Sequence, residues 1–370
     1  MKKLVFLSCE DLLDVDIPIV KEIHAQFEFT WIIVLRGYGW FAEAPLLKLA
    51  QEVGVNLRIL HQDTKLKDPR TFLFHLKLLK ILKGLKPDLV YDSYHGTPWM
   101  HFVSPIYLPR AKFVLAIHDV VQHYNMHFRF VRKHYSNFLM RMHQHIHVFS
   151  PSQLAVFNRY YQGKNTLMAP LCLKDFGKLT RPTTKQKEVG EAHFLFFGII
   201  RANKGVDLLI QAVNQLAAVY PKLRVTIAGR SDEAYWASYE QLIAHRDAFN
   251  LQIRTIEDYE IPGLFDAHQF ILLPYRDVTQ SGVLLTAYNY KLPAIASDLM
   301  GFSEYIIADK TGMLFDIEKS DGLKDSLEAA ILMDNNAYQQ MIAALSEFVA
   351  AEISTAGIAK KYVDYFNRIN

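Results

Sequence analysis

Cysteine is almost absent from this chain of 370 residues: there are two, Cys9 and Cys172. They lie far apart and neither belongs to a C-x-x-C pair, which excludes a disulfide framework and the common zinc spacings. A reducing compartment is expected. Long apolar runs are missing too. The amino terminus, MKKLVFLS, sets two lysines before a short apolar stretch, but Cys9, Glu10 and Asp11 end it before it reaches the length of a signal-peptide core. No stretch approaches the roughly 20 apolar residues of a membrane-spanning helix. Charged residues make up 21% of the chain and hydrophobic ones 51%, which excludes a disordered protein and suffices for two cores.

The net charge of +3 hides an imbalance. Residues 1–185 hold 25 Lys+Arg against 14 Asp+Glu, whereas residues 186–370 hold 16 against 24. Twelve of the fifteen histidines also fall in the first half. That half is expected to face something anionic, phosphate or acidic lipid. Nucleic acid is not an expected partner, because no recognised binding motif accompanies the charge.

Short apolar runs alternate with amphipathic stretches. Lys3–Ser8, Trp31–Leu35, Leu57–Leu60, Leu89–Tyr91 and Phe113–Ile117 read as buried strands; Ile17–Gln26, Glu43–Val53 and Phe72–Leu85 read as helices between them. This pattern predicts a parallel sheet covered on both faces. Residues 121–147 form a basic, aromatic segment with helical spacing; Arg129, Arg132, Lys133 and Arg141 could lie on anionic lipid. Residues 174–192 are polar and aperiodic and read as a linker. The alternation then restarts: strands at 193–198, 223–228, 251–256, 270–274 and 294–296, helices at 205–220, 236–245, 281–290 and 323–333. The expectation is an α/β protein of two Rossmann-like, doubly wound domains facing a cleft, over about 1–180 and 190–350, with a last helix near 355–370 packing back on the first.

Three segments of the second half carry anion chemistry. Phe197–Ala212 reads FGIIRANKGVDLLIQA: a strand ends at Gly198, and Arg201 and Lys204 precede a helix start. Backbone amides at a helix start attract anions, and two cations three residues apart could clamp a diphosphate. Arg224–Gly229 is a second strand ending in glycine, followed by Arg230; a glycine there admits a ligand close to the backbone. Leu273–Glu304 begins LPYRDVTQSGVLLTAY, with Thr279, Gln280, Ser281 and Gly282 where a loop enters a helix. Each segment alone is equally a solvated turn or an ordinary capped helix.

Together, in this order and spacing, they resemble the second domain of the family 4 retaining glycosyltransferases, in a variant with T-Q-S-G-V in the phosphate loop. The resemblance covers about 193–316 well and the first domain loosely. It implies the GT-B fold, a nucleotide-sugar donor, no metal or other cofactor, retention at the anomeric carbon, and an acceptor that is a glycan or lipid-linked. The protein would then be cytoplasmic, peripheral at the inner membrane face. By that resemblance Arg201 and Lys204 would hold the donor diphosphate, aided by the amides of Ser281, Gly282 and Val283, with Gly198, Gly229 and Arg230 lining the donor site. The family carries two glutamates where this chain has Val278 and Thr286. Asp277 would substitute for the first, near the donor sugar, and Thr286 would meet the ribose.

In the first domain FVLAIHD resembles the family's strand followed by H-D, which makes His118 the candidate that meets donor sugar or acceptor, with Asp119 orienting it. Asp92, Tyr94 and His95, after the preceding strand, would touch the acceptor. Three other functions share such a pattern: a non-catalytic scaffold that lost the glutamates, a nucleotide-sugar epimerase of the same fold, and a dehydrogenase. The last requires G-x-G-x-x-G after a strand with an acid about 20 residues on, and no full match occurs.

Overall fold

The structure, a computed structural model, describes residues 1–37, 41–64, 68–120, 129–177 and 185–369, with 129–133 described as backbone. The chain divides into two compact units: Met1–Cys172 with Ser354–Asn370, and Leu173–Ile353.

The first unit is built on seven strands: β1 (Lys3–Cys9), β2 (Glu28–Leu35), β3 (Asn56–His61), β4 (Leu89–Asp92), β5 (Phe113–Ile117), β6 (His145–Val148) and β7 (Asn165–Met168). All pair in parallel, in the order β3-β2-β1-β4-β5-β6-β7. Its helices are α1 (Leu13–Ile23), α2 (Glu43–Val53), α3 (Arg70–Leu85), α4 (Pro98–Val103), α5 (Arg129–Met142) and α6 (Pro151–Tyr160). The central strands β1, β4 and β5 are buried almost end to end, which explains why their sequences are unbroken apolar runs. On one face Val5, Leu7, Ile32 and Val90 pack with Leu78 and Leu82 of α3. Farther along, Leu115, Ile146 and Val148 pack with Leu139 of α5 and Phe157 of α6. Each such side chain contributes about 1.5–3 kcal/mol by leaving water.

The second unit holds β8 (Glu191–Phe197), α7 (Val206–Ala217), β9 (Lys222–Ala228), α8 (Glu233–Glu240), β10 (Phe249–Gln252), α9 (Ile261–Asp266), β11 (Phe270–Leu273), α10 (Gly282–Asn289), β12 (Ala294–Ser297), α11 (Met300–Ser303), β13 (Gly312–Phe315), α12 (Gly322–Leu332) and α13 (Asn335–Glu352). Its six strands are parallel in the order β10-β9-β8-β11-β12-β13. The last helix, α14 (Thr355–Arg368), belongs to the first unit, where it packs on α1, and its Tyr362 and Phe366 rings lie 5.5 and 5.8 Å from that of Tyr91.

Both sheets are doubly wound. In each, the chain reverses its direction of travel across the sheet beside the first strand: between β1 and β4 in one unit, between β8 and β11 in the other. Ligands of such sheets bind outside the carboxyl ends of the strands at that point.

Three expectations need correction. The segment 121–147 is not one helix. Its described part forms α5 only to Met142, and His145–Val148 leaves to pair with β5 and β7; residues 121–128 lie outside the described residues. The polar stretch 174–192 is not a free linker where it is described. The Tyr290 hydroxyl accepts from the Phe176 amide at 3.0 Å, and the Lys187 ammonium donates to the carbonyls of Glu188, Glu191 and Ile331. Lastly, residues 335–368 are long and apolar enough, by length and composition, to cross a membrane. They form two helices, however: α14 starts afresh at the Ser354 cap, and α13 and α14 bury side chains in different units.

Candidate functional site

The switch point of the second sheet lies between the loops that follow β8 and β11. The first carries Arg201 and Lys204, the second Asp277 to Ser281, so the topology brings together the two segments that the sequence singles out. The backbones fit closely. Gly205 has φ +64°, and a Cβ there would sit 1.8 Å from the Pro274 carbonyl oxygen. The Arg276 amide donates to the Asn203 carbonyl at 2.8 Å.

Between the two loops lies Lys204. Its ammonium stands 3.5 Å from the centroid of the Tyr275 ring, which is buried. Burial, and after it the Arg201 charge, lowers the pKa of Lys204 to about 8, with Asp277 opposing both. The site therefore holds two neighbouring cations with one carboxylate in range, an arrangement that favours an incoming anion. The Tyr275 hydroxyl is joined to Ser281 by a side-chain hydrogen bond.

Ser281 caps α10, accepting from the Leu284 amide at 3.3 Å. Gly282 and Val283 follow in the first turn, where unpaired amides point outward. Val283 reaches Gly198: a Cβ on that glycine would touch its methyl at 3.5 Å. Gly198 (φ +118°) and Gly229 (φ +148°) press together, for a Cβ on Gly229 would lie 1.9 Å from the Gly198 carbonyl oxygen. The Val278 and Thr279 carbonyls abut Gly301, each 2.8 Å from where its Cβ would be. The Gln280 side-chain nitrogen is buried without a hydrogen-bond partner. Thr286 is set apart from this group. It is buried in α10 and its hydroxyl donates to the Gly282 carbonyl at 2.8 Å, which corrects the expectation that it faces a ribose.

Beside the cations, a cavity of about 690 Å³ is lined by Ile199, Ile200, Arg201, Arg230, Ser231 and Tyr235 among others. Arg201 and Arg230 thus line the same cavity, and the Ser231 hydroxyl is buried without a hydrogen-bond partner.

In the first unit the candidates follow β4 and β5. Asp92 and Tyr94 are buried, which corrects the expectation that they touch an acceptor. One Asp92 oxygen accepts from the Tyr94 and His95 amides at 3.0 and 2.9 Å, and the other lies 4.0 Å from His101. The Tyr94 hydroxyl meets His75 at 2.8 Å and donates to Gln62. His95 sits at φ +63°, and its ring donates to the Ala116 carbonyl. Burial lowers the His95 pKa, with Asp92 opposing. His118 and Asp119, half-buried, follow β5; the His118 ring stacks on Phe149 at 4.1 Å and 18°.

Three features escaped the sequence. Asp207, in the first turn of α7, takes both Arg276 nitrogens at 2.8 and 2.6 Å, and Arg276 also donates to the Ala202 carbonyl. This pair ties the Arg201–Lys204 loop to the β11 loop. Lys174 overlies the start of α10, its ammonium 3.0 Å from where a Gly282 Cβ would be. At the other switch point, Arg36 donates to Asp11 at 2.9 Å and its amide donates to the Glu10 carboxylate at 2.8 Å.

Residues 191–332 match the family described as Glycosyl transferases group 1. A D-inositol 3-phosphate glycosyltransferase of Arthrobacter sp. is 30% identical over 144 residues, 38% of this chain and 34% of that protein. A GDP-mannose:glycolipid 4-beta-D-mannosyltransferase of Xanthomonas campestris is 26% identical over 157 residues, 40% of this chain and 44% of that protein. The match thus spans less than half the length of either relative. The crystal structure of Anabaena Alr3699/HepE in complex with UDP and glucose superposes with a TM-score of 0.74 at 15% identity, covering 99% of this chain and 100% of that one. The fold is therefore the two-unit, GT-B fold of glycosyltransferases, and residues 191–332 are similar to the group 1 glycosyltransferase family.

Proposed function

We propose that this chain is a retaining glycosyltransferase that moves a sugar from a nucleotide-sugar donor to a glycan or lipid-linked acceptor, at the cytoplasmic face of a membrane. The observation that carries the reading is the pairing of Arg201 and Lys204 with the Ser281-capped start of α10 at the switch point. These groups suit a diphosphate whose charge grows as the glycosidic bond breaks. The bond from the anomeric carbon to the phosphate oxygen breaks, and its electron pair stays on the diphosphate between the cations. The acceptor oxygen bonds the anomeric carbon from the same face, and its proton goes to the released phosphate oxygen. No metal or cofactor takes part in this scheme; the two side chains and the helix start supply the positive charge. The remainder of the donor occupies the cavity beside Arg230 and Tyr235, whose volume lies in the range of small-molecule sites. His118, after β5, is the first unit's candidate for contact with the acceptor.

The relatives' names support a sugar-transfer reading: one includes GDP-mannose and a glycolipid, another an inositol phosphate, and the Anabaena structure contains UDP and glucose. One observation favours a second reading, a scaffold without turnover: Thr286 stands where the resemblance expects a glutamate, and its hydroxyl is bonded inside α10. A thermal-shift screen with UDP, GDP, TDP, CMP and their sugar derivatives, with EDTA present, separates the readings. A shift with one nucleotide, followed by retained configuration in a transferred product, is expected. Absence of any shift at millimolar nucleotide would overturn the donor-site reading, and binding without transfer or hydrolysis would favour the scaffold. Conversion of the donor into an epimeric sugar without any acceptor would identify an epimerase.

A further inference from the structure

The first unit displays an apolar shoulder that the reaction above does not use. Trp99 and Phe102 of α4 and Ile106 just beyond it recur at i, i+3 and i+7, and they are 64%, 61% and 73% exposed. Beside them, at the start of α3, Phe72 and Leu73 are 40% and 64% exposed. A pocket of about 590 Å³ opens between the two helices, with Phe72, Trp99, Phe102 and Val103 in its wall. Single exposed apolar residues need no explanation, but five large ones on two neighbouring helical segments, three of them (Phe72, Trp99 and Phe102) in the wall of one apolar pocket, mark a contact surface.

The charge around the shoulder says what it meets. Helix α3, RTFLFHLKLLKILKGL, contains no acidic residue. Leu73, Lys77 and Lys80 share one exposed stripe at i, i+4 and i+7. Lys83, one turn on, is exposed with its ammonium 5.9 Å over the Tyr107 ring. Asp68, at the start of α3, is neutralised by Arg70 at 2.6 Å. A tryptophan and a phenylalanine beside lysines that can reach outward is the composition of a helix surface lying in a lipid interface: rings enter the headgroup boundary and ammonium groups pair with phosphates. A protein partner of this shoulder would have to bring its own acidic rim; a bilayer with anionic lipid supplies both apolar depth and negative charge.

We infer that the α3–α4 shoulder docks the protein on an anionic bilayer, with Trp99, Phe102 and Ile106 inserted and Lys77 and Lys80 on the headgroups. This moves the membrane contact away from the 121–147 segment that the basic sequence pattern favours. It gives the membrane-side acceptor of the proposed reaction a physical basis, and it rests on that reading only for its purpose.

Flotation of the whole protein with vesicles tests it. Vesicles of phosphatidylcholine with phosphatidylglycerol should carry the protein up the gradient, and vesicles of phosphatidylcholine alone should carry much less. Trp99→Ser with Phe102→Ser should abolish flotation while leaving the melting temperature and nucleotide-induced shift unchanged, since both side chains are exposed. Lys77→Glu and Lys80→Glu should each weaken partitioning at least roughly fivefold, the value of one cation near an anionic surface. Brominated lipid should quench the fluorescence that Trp99→Ser removes. The inference is overturned if the wild type ignores both vesicles, if the double variant floats like the wild type, if Arg141→Glu alone abolishes flotation, or if the shoulder variants change a dimer into a monomer without changing flotation. Nucleotide binding is read separately in the same samples, so failure here leaves the donor-site reading standing, and the reverse.

Discussion

The ammonium of Lys204 lies 3.5 Å from the centre of the Tyr275 ring, and a side-chain hydrogen bond joins the same tyrosine to Ser281. One buried side chain therefore touches both anion-binding elements of the second unit: a cation on the β8 loop and the cap of α10. Lys204→Ala and Arg201→Ala should each lower transfer by about 10²–10³-fold, the usual loss when one stabiliser of developing charge is removed. Stability should change little for the exposed Arg201. Steady-state kinetics beside thermal melts check this; unchanged rates in both variants would remove the clamp from the mechanism. Tyr275→Phe keeps the ring under Lys204 and should retain more activity than Tyr275→Leu.

The same burial gives the site a pH dependence. Lys204 titrates at about 8, so it carries its proton at neutral pH and loses it as pH rises. A bound diphosphate favours the charged form and raises that pKa. Nucleotide affinity should therefore be full below about 8 and fall as pH rises through that value. Calorimetric titration of nucleotide diphosphate at pH 7 and pH 9 checks the sign, and Lys204→Arg, which stays charged, should flatten the curve.

Sheets and switch points were readable because buried parallel strands are written as unbroken apolar runs, and glycines and cations mark the loops between strand and helix. The environment of a polar residue at a strand end was not. Asp92 caps its own loop whether or not solvent is near, and Tyr94 finds partners 19 and 32 residues upstream, His75 and Gln62. Nor does spacing connect Arg276 with Asp207, 69 residues earlier. Polar contacts of long range depend on how helices settle on the sheet, which local periodicity does not encode.

That ion pair has its own consequence. Arg276 holds the loop of Arg201 through Asp207 and through the Ala202 carbonyl. Arg276→Ala should weaken nucleotide binding without touching the nucleotide, and stability should fall by no more than about 1 kcal/mol, because the pair is partly exposed. A double-mutant cycle with Asp207→Asn should show strong coupling in affinity; additive losses would mean that the pair does not position the loop.

Gly205 should tolerate no side chain. Its φ of +64° is unfavourable for other residues, and the Pro274 carbonyl oxygen occupies the space 1.8 Å from a Cβ. Gly205→Ala must separate the β8 and β11 loops, so it should lose nucleotide binding and about 1–3 kcal/mol of stability. Gly84→Ala, a helical glycine with open space around it, is the matched control and should be neutral or slightly stabilising.

Acid should unfold the first unit before the second. His75, His101, His143 and His147 lie inside it, and burial lowers their pKa values to about 4, 4, 2 and 3. His101 and His143 face each other at 3.0 Å, so protonating both would also bring like charges together. The groups facing this pair are Asp92, buried 4.0 Å from His101, together with His95, Arg110 and Lys164. In the unfolded chain each histidine titrates near 6.5. The unfolded state therefore binds more protons than the folded one below that pH, and the stability present above 6.5 is lost as pH falls. Each histidine contributes about 1.4 kcal/mol per pH unit once pH lies between its folded and unfolded values. The second unit contains one comparable residue among those described, His268, lowered to about 4. Urea unfolding followed by proteolysis at pH 7.5 and pH 5 should show the first unit losing protection at the lower pH while the second retains it. His143→Gln should blunt the loss, since glutamine keeps a polar partner for His101 but takes up no proton. Equal acid sensitivity of the two units would refute the burial argument.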